Sequence, residues 1–222
     1  MSVGVMAMPL LPFISDGEQD IRALVSTMKE AGAAFVMAGG LTLRPGRQKD
    51  FFMTHLAEAY PGLIERYREI FAEERPSGAC TRRYADGLAG RAAAAVRDAG
   101  VPFLLPHALY RERVPLYDEL HLLLTHMAEL YAARNVPVGG LKNAARRYSD
   151  WLLGKKRIFN RKRSMRQEEL EEETRALFAA DGARTLLENE KLAAFLRSVA
   201  LERRVFDYIT LSLSPTPPTP PS

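Results

Sequence analysis

Few side chains in this chain have types and spacing that could do chemistry. They are one cysteine, four histidines, two charged residues beside apolar runs, and one dense run of cations. Cys80 stands in Ser77-Gly78-Ala79-Cys80-Thr81-Arg82-Arg83, where two arginines would lower a thiol's pKa. A nucleophile also needs a base and a group that orients it, and no pattern supplies them, so Cys80 reads as incidental. A single cysteine forms no internal disulfide and by itself holds neither zinc nor an iron-sulfur cluster. It fits a reducing compartment, and a cytoplasmic location is expected. His55, His107, His121 and His126 invite a metal reading. His121 and His126 are five residues apart, which sets them about 140° apart around a helix rather than on one face. No metal site is expected from them.

The strongest charge feature runs from Lys142 to Arg166, where ten basic residues meet one acid, Asp150. That segment carries +9 in a chain of net charge +4, which leaves the remainder at about −5. Its centre, from Lys155 to Arg163, is predicted to connect two helices. Lys155, Lys156, Arg157, Arg161, Lys162 and Arg163 suit a phosphate backbone, and Phe159 suits a stacked base. The same charges could instead pair with Glu168, Glu169, Glu171, Glu172 and Glu173, which follow at helical spacing.

The elements that must position these residues begin with an apolar run, Val3 to Leu11, apolar on both faces as a buried parallel strand is. Ser15 with Glu18 three residues later reads as a capping box, so a helix is expected to start near Asp16. Ile21, Leu24, Val25, Met28 and Ala31 recur at helical spacing, and Gly32 supplies the stop. A second strand, Ala33 to Leu43, ends in Arg44-Pro45-Gly46. Strand, helix, strand is a βαβ unit, whose crossover makes the strands parallel. Helices are then expected near Gln48–Ala59, Gly62–Glu73, Arg82–Ala99, Pro115–Ala133, Val138–Leu153, Arg166–Ala180 and Ala183–Val205. Val101 to Leu105 is a candidate short strand. The helix from Pro115, with Leu116, Leu120, Leu123, Leu124, Met127, Leu130 and Tyr131, is core or packs on a partner. Ser214 to Ser222, SPTPPTPPS, buries nothing and reads as a disordered tail or a ligand for an SH3-like domain.

Two parallel strands alone do not make a stable sheet, because such sheets need several strands and both faces covered. Either a further segment or chain completes this one, or the helices bury an unusually small sheet. With 222 residues, 47% hydrophobic and 26% charged, the composition is that of an ordinary globular protein. No apolar run approaches the roughly 18 residues that cross a bilayer, and Met1 to Met8 has no positive n-region, so no membrane partner is expected.

The ordered series Gly4-Val5-Met6-Ala7-Met8-Pro9-Leu10-Leu11-Pro12-Phe13-Ile14-Ser15-Asp16, Ala33-Ala34-Phe35-Val36, Leu41-Thr42-Leu43-Arg44-Pro45-Gly46, and Phe51-Phe52 to Tyr60-Pro61 resembles a known family. It is similar to the later barrel strands of radical SAM proteins, in the spore photoproduct lyase-like group often called DNA repair photolyases. The resemblance covers residues 3–75 well and 100–175 loosely, where Pro106-His107, Tyr110 and Leu116-Tyr117-Asp118 are similar to that group's variable extension.

The resemblance implies an α/β fold: the C-terminal part of a parallel partial barrel of βα units (1–110), a mainly helical extension with a basic loop (111–213), and the tail (214–222). It implies that Met8, Pro9, Leu11, Pro12, Leu41 and Leu43 line the S-adenosylmethionine (SAM) side of a site, with Asp16 and Arg44 toward substrate. Read from the residues alone, the prolines shape a turn, Asp16 suits a helix dipole, and Arg44 pairs with an acid. The family holds a [4Fe-4S] cluster on C-x3-C-x2-C, which this chain lacks. The cluster would then belong to a missing N-terminal half or a separate chain, and this chain alone would generate no radical. The complete enzyme would cleave SAM reductively for radical chemistry, with nucleic acid as the expected substrate. The alternative is a non-enzymatic basic helical module that binds nucleic acid.

Overall fold

A computed structural model describes residues 2–162 and 166–215. The chain is mixed α/β and divides into two compact units, Met1–Leu105 and Pro106–Ser222. Among the described residues no helix is long and apolar enough to cross a membrane.

The first unit opens with β1 (Val5–Leu10), α1 (Glu18–Glu30) and β2 (Val36–Gly40). The two strands pair in parallel, Val5 opposite Val36 and Ala7 opposite Ala38, and the register shifts before Leu10 meets Gly40. Both are shorter than the apolar runs that contain them. Helix α1 stops as expected: Gly32 takes a positive φ of 83°, and the Gly32 and Ala33 amides donate to the carbonyls of Lys29 and Met28. Its start differs. Gly17, not Ser15, is the N-cap, because the Ser15 hydroxyl is taken by the Leu11 amide at 2.9 Å. Helices α2 (Arg47–Ala59), α3 (Ile64–Ile70, after a 3-10 turn at Pro61–Leu63) and α4 (Arg82–Ala99) follow. Val101 to Leu105 forms no strand, but the Pro102 carbonyl accepts from the Val36 amide at 2.9 Å, so this segment still runs beside β2.

One face of the small sheet is well covered. Ala7, Leu10 and Val36 pack with Ile21 and Val25 of α1 and Leu88, Ala95 and Val96 of α4. The opposite face is not covered: Met6 is 66% exposed and Met8 45%. The expectation of a strand buried on both faces is therefore corrected. Alternation sends Met6 and Met8 to the side where the described residues place no helix. A second core gathers Leu43, Leu56, Tyr67, Ile70, Phe71 and Cys80 beyond the carboxyl ends of the strands. Gly78 closes it: its φ of 74° and a Cβ position 2.5 Å from the Arg44 amide nitrogen leave no room for a side chain.

The second unit contains α5 (His107–Tyr110), α6 (Leu116–Ala132), α7 (Gly139–Lys162), α8 (Gln167–Ala179), α9 (Gly182–Leu187), α10 (Glu190–Glu202) and an antiparallel hairpin, β3 (Val205–Asp207) with β4 (Ser212–Ser214). Helix α6 is core: Leu120, Leu123 and Leu124 are fully buried, each contributing about 1.5–3 kcal/mol. The single helix expected from Ala183 breaks at Glu188, whose φ is 48°, and restarts at Asn189, whose Oδ1 accepts from the Leu192 amide at 3.0 Å. Two further expectations are corrected. Lys155 to Lys162 is not a loop but the last turns of α7, and Ser214 belongs to β4 rather than to the tail.

Candidate functional site

The loop that leaves β1 folds back on itself. The Ile14 and Ser15 amides donate to the Leu11 carbonyl, and Phe13 takes a positive φ of 62°. That conformation aims the Phe13 amide at Asp16 Oδ1, 2.7 Å away. Asp16 is only 3% exposed. Its Oδ2 accepts from the Tyr84 hydroxyl and, at 3.0 Å, from Arg91 Nη2, while Arg91 Nε donates to the Asp16 carbonyl at 3.0 Å. Tyr84 and Arg91 lie two turns apart on α4 and so share the face turned to the loop. Burial first, then the bond to Asp16, pushes the Tyr84 phenol far up and keeps it a donor. Tyr67 donates to the Pro12 carbonyl at 2.8 Å, and burial raises its phenol to about 12.

Above this network the Phe13 ring meets Tyr67 and Tyr84 edge-on, and the Arg66 guanidinium lies 3.7 Å over its face. Phe13, Arg66, Glu69, Arg83, Tyr84 and Arg91 line an open cleft of about 590 Å³. The cleft lies beyond the carboxyl end of β1, where α/β proteins place their sites.

Of the residues expected at the site, the structure places Met8 and Pro9 exposed at the end of β1, and Pro12 buried under Tyr67. Leu11 and Leu41 are half-buried, Leu41 against the second core and Leu43 within it. Arg44 is exposed, its backbone amide bound to the Gln48 side chain at 3.3 Å. Asp16 does not face the cleft openly; it holds Tyr84 and Arg91 there. Sequence reasoning missed Arg66, Tyr84 and Arg91. The seven-residue spacing of Tyr84 and Arg91 was a visible signal, but only their meeting with Asp16 gives it meaning.

Cys80 is buried in the second core, where burial raises its thiol. This chain offers no set of three thiolates, so its own residues do not fit a [4Fe-4S] cluster. Among the described residues no cluster of three or more His, Cys, Asp or Glu side chains could hold a metal ion.

On α7, Lys155 pairs with Glu173 and Lys156 with Asp118, each at 2.6 Å, and Arg157 is exposed. The side chains of Phe159, Arg161 and Lys162, and all of Arg163, lie outside the described residues.

The histidines prove more organised than their spacing suggested. His107 is fully buried: its Nδ1 accepts from the Phe206 amide at 3.0 Å, which puts the ring proton on Nε2, 2.8 Å from Glu119 Oε1. Beside it the Tyr110, Tyr208 and His126 side chains form a chain of hydrogen bonds of 2.9 and 2.7 Å. Burial, helped by His107, lowers the His126 imidazole from 6.5 to about 4. Unfolded, the ring takes its proton near 6.5; folded, it does so only near 4, so the unfolded chain holds more protons between those values. Stability of this unit therefore falls as pH drops through that window. The urea midpoint of Trp151 fluorescence should fall between about pH 7 and 4.5, and fall less in His126→Asn. An equal fall in both proteins would exclude His126 as the source.

No family model and no solved structure matches this chain. Uncharacterized proteins of Mycobacterium bovis and of two Mycobacterium tuberculosis strains are each 40% identical to it over 67 residues. That match covers 30% of this chain and 19% of each relative, so the similarity takes in a minor part of both.

Proposed function

We propose that this chain supplies the closing βα units of a radical SAM-type partial barrel, and that a cluster-bearing segment, in the same or a separate chain, adds its strands to the free edge of β1. The observation that carries this reading is the one-sided burial of the βαβ unit. In a doubly wound sheet helices cover both faces, whereas in a barrel they cover only the outside and leave the other face to line the interior. Here α1 and α4 cover one face and Met6 and Met8 stand on the other.

In the completed protein Met8, Pro9, Leu11 and Pro12 would border the SAM side, and Asp16 would act through Tyr84 and Arg91. A cluster held by ligands outside this chain would supply the electron that cleaves SAM, and this chain would supply the wall and the anchoring of its loop. A nucleic-acid module built on α7 is favoured less, because Lys155 and Lys156 are already paired.

The test is anaerobic reconstitution with iron and sulfide, followed by reductant and SAM. The chain alone should release no 5′-deoxyadenosine. Joined to or mixed with a C-x3-C-x2-C segment found at its locus, it should. Absence of such a segment at the locus, or a mixture as silent as the chain alone, would sink the reading.

A further inference from the structure

The cleft above Asp16 holds more positive charge than the surrounding structure uses. In the first unit Arg22, Arg68, Arg75, Arg82, Arg91 and Arg97 each have a carboxylate partner. Arg44, Arg47, Arg66 and Arg83 have no such partner among the described residues, and two of these four, Arg66 and Arg83, line this one cleft with Arg91. Cations gathered in excess of the anions beside them raise the energy of the fold, and such a surface favours the approach of an anion.

The three arginines are also prepared to different degrees. Arg91 is fixed by its two bonds to Asp16. Arg66 is laid flat on Phe13, a ring itself held by the positive φ of its backbone and by the edges of Tyr67 and Tyr84. A stacked guanidinium keeps its in-plane N–H fork free for a planar or tetrahedral oxyanion and leaves its outer face open to a second ring. Arg83, in the first turn of α4, adds an exposed and adaptable donor beside Thr81, on the end of an 18-residue helix whose dipole favours negative charge. Glu69 is the one acid of the lining. It offsets one of the three cations and leaves the lining net positive for a phosphate.

We propose that this cleft binds a phosphate group carried by a nucleotide or a short single strand, with Arg66 and Arg83 as its fork donors, Arg91 as its fixed floor, and the open face of Arg66 as a platform for the base. The inference does not depend on completion of the barrel, since every residue in it belongs to this chain.

The experiment is a titration of the chain followed by NMR, reading backbone amides and arginine Nε–H signals, with inorganic phosphate, a 5′-mononucleotide and a short single-stranded oligonucleotide in separate arms. Saturable shifts at Arg66, Arg83 and the first turn of α4 are expected, with both nucleotide ligands binding more tightly than phosphate. A mononucleotide as tight as the oligonucleotide names the free nucleotide as ligand; a tighter oligonucleotide names the strand. The Arg66→Gln/Arg83→Gln variant, altered only at exposed positions, should bind about tenfold or more weakly. Arg66→Lys/Arg83→Lys, which keeps charge but loses the fork, should fall between. Arg157→Gln should bind as wild type. No saturable shift with any ligand, shifts on α7 instead of the cleft, or wild-type affinity in the Gln variant would each overturn the proposal. The wild-type map decides the matter even if a variant fails to fold.

Discussion

Asp16→Ala should lower the stability of the Met1–Leu105 unit by about 3 kcal/mol and its thermal midpoint by roughly 10–20 °C. The carboxylate is 3% exposed and accepts from three donors: the Phe13 amide, the Tyr84 hydroxyl and Arg91. Truncation leaves those donors without their acceptor at a site closed to water, and an orphaned buried donor costs about 1–3 kcal/mol. Breaking a buried ion pair costs more still, but the Arg91 side chain is 32% exposed and can rehydrate in part, which holds the total near the lower end. Asp16→Asn should recover only part of the loss. It keeps the shape and the bond from Phe13, yet presents an N–H where Arg91 needs an acceptor. Circular dichroism follows the melt. Trp151, the only tryptophan, belongs to the other unit and serves as an internal reference. An unchanged midpoint in Asp16→Ala would show that the network does not support the loop.

What could be read from the sequence followed from periodicity. The βαβ unit, the stop at Gly32 and helix α4 are local patterns, and the chain adopts them nearly as written. Elsewhere a long-range partner decided. Ser15 looks like a cap for α1, but its hydroxyl is closer to Leu11, so the helix starts at Gly17 without it. The basic run looks like a connection because it is so polar. Its lysines instead meet Glu173 and Asp118 on neighbouring helices, and α7 continues to Lys162. His107 and Glu119 are twelve residues apart and the Phe206 amide is ninety-nine residues from His107, so no spacing rule could have joined them. The cleft is the same kind of case: Phe13, Arg66 and Arg83 come from three elements that only the second core brings together.

If the proposed cluster-bearing segment adds its strands to β1, amide exchange at Met6 should slow by about a thousandfold, equivalent to about 4 kcal/mol of opening free energy. The Val5 amide donates to the Phe35 carbonyl at 3.0 Å, so β1 turns its Val5 and Ala7 amides toward β2. Alternation turns those of Met6 and Met8 to the other edge, where no strand of the described residues pairs. Such an edge, flanked by exposed methionines, is a template for a further parallel strand. The most direct test of the account is hydrogen exchange at β1, measured on the chain alone and on the chain joined to or mixed with the proposed cluster-bearing segment. The predicted result is fast exchange at Met6 and Met8 in the first sample and strong protection in the second, with Val5 slow in both. Equal exchange at Met6 in the two samples, or protection already complete in the chain alone, would contradict it.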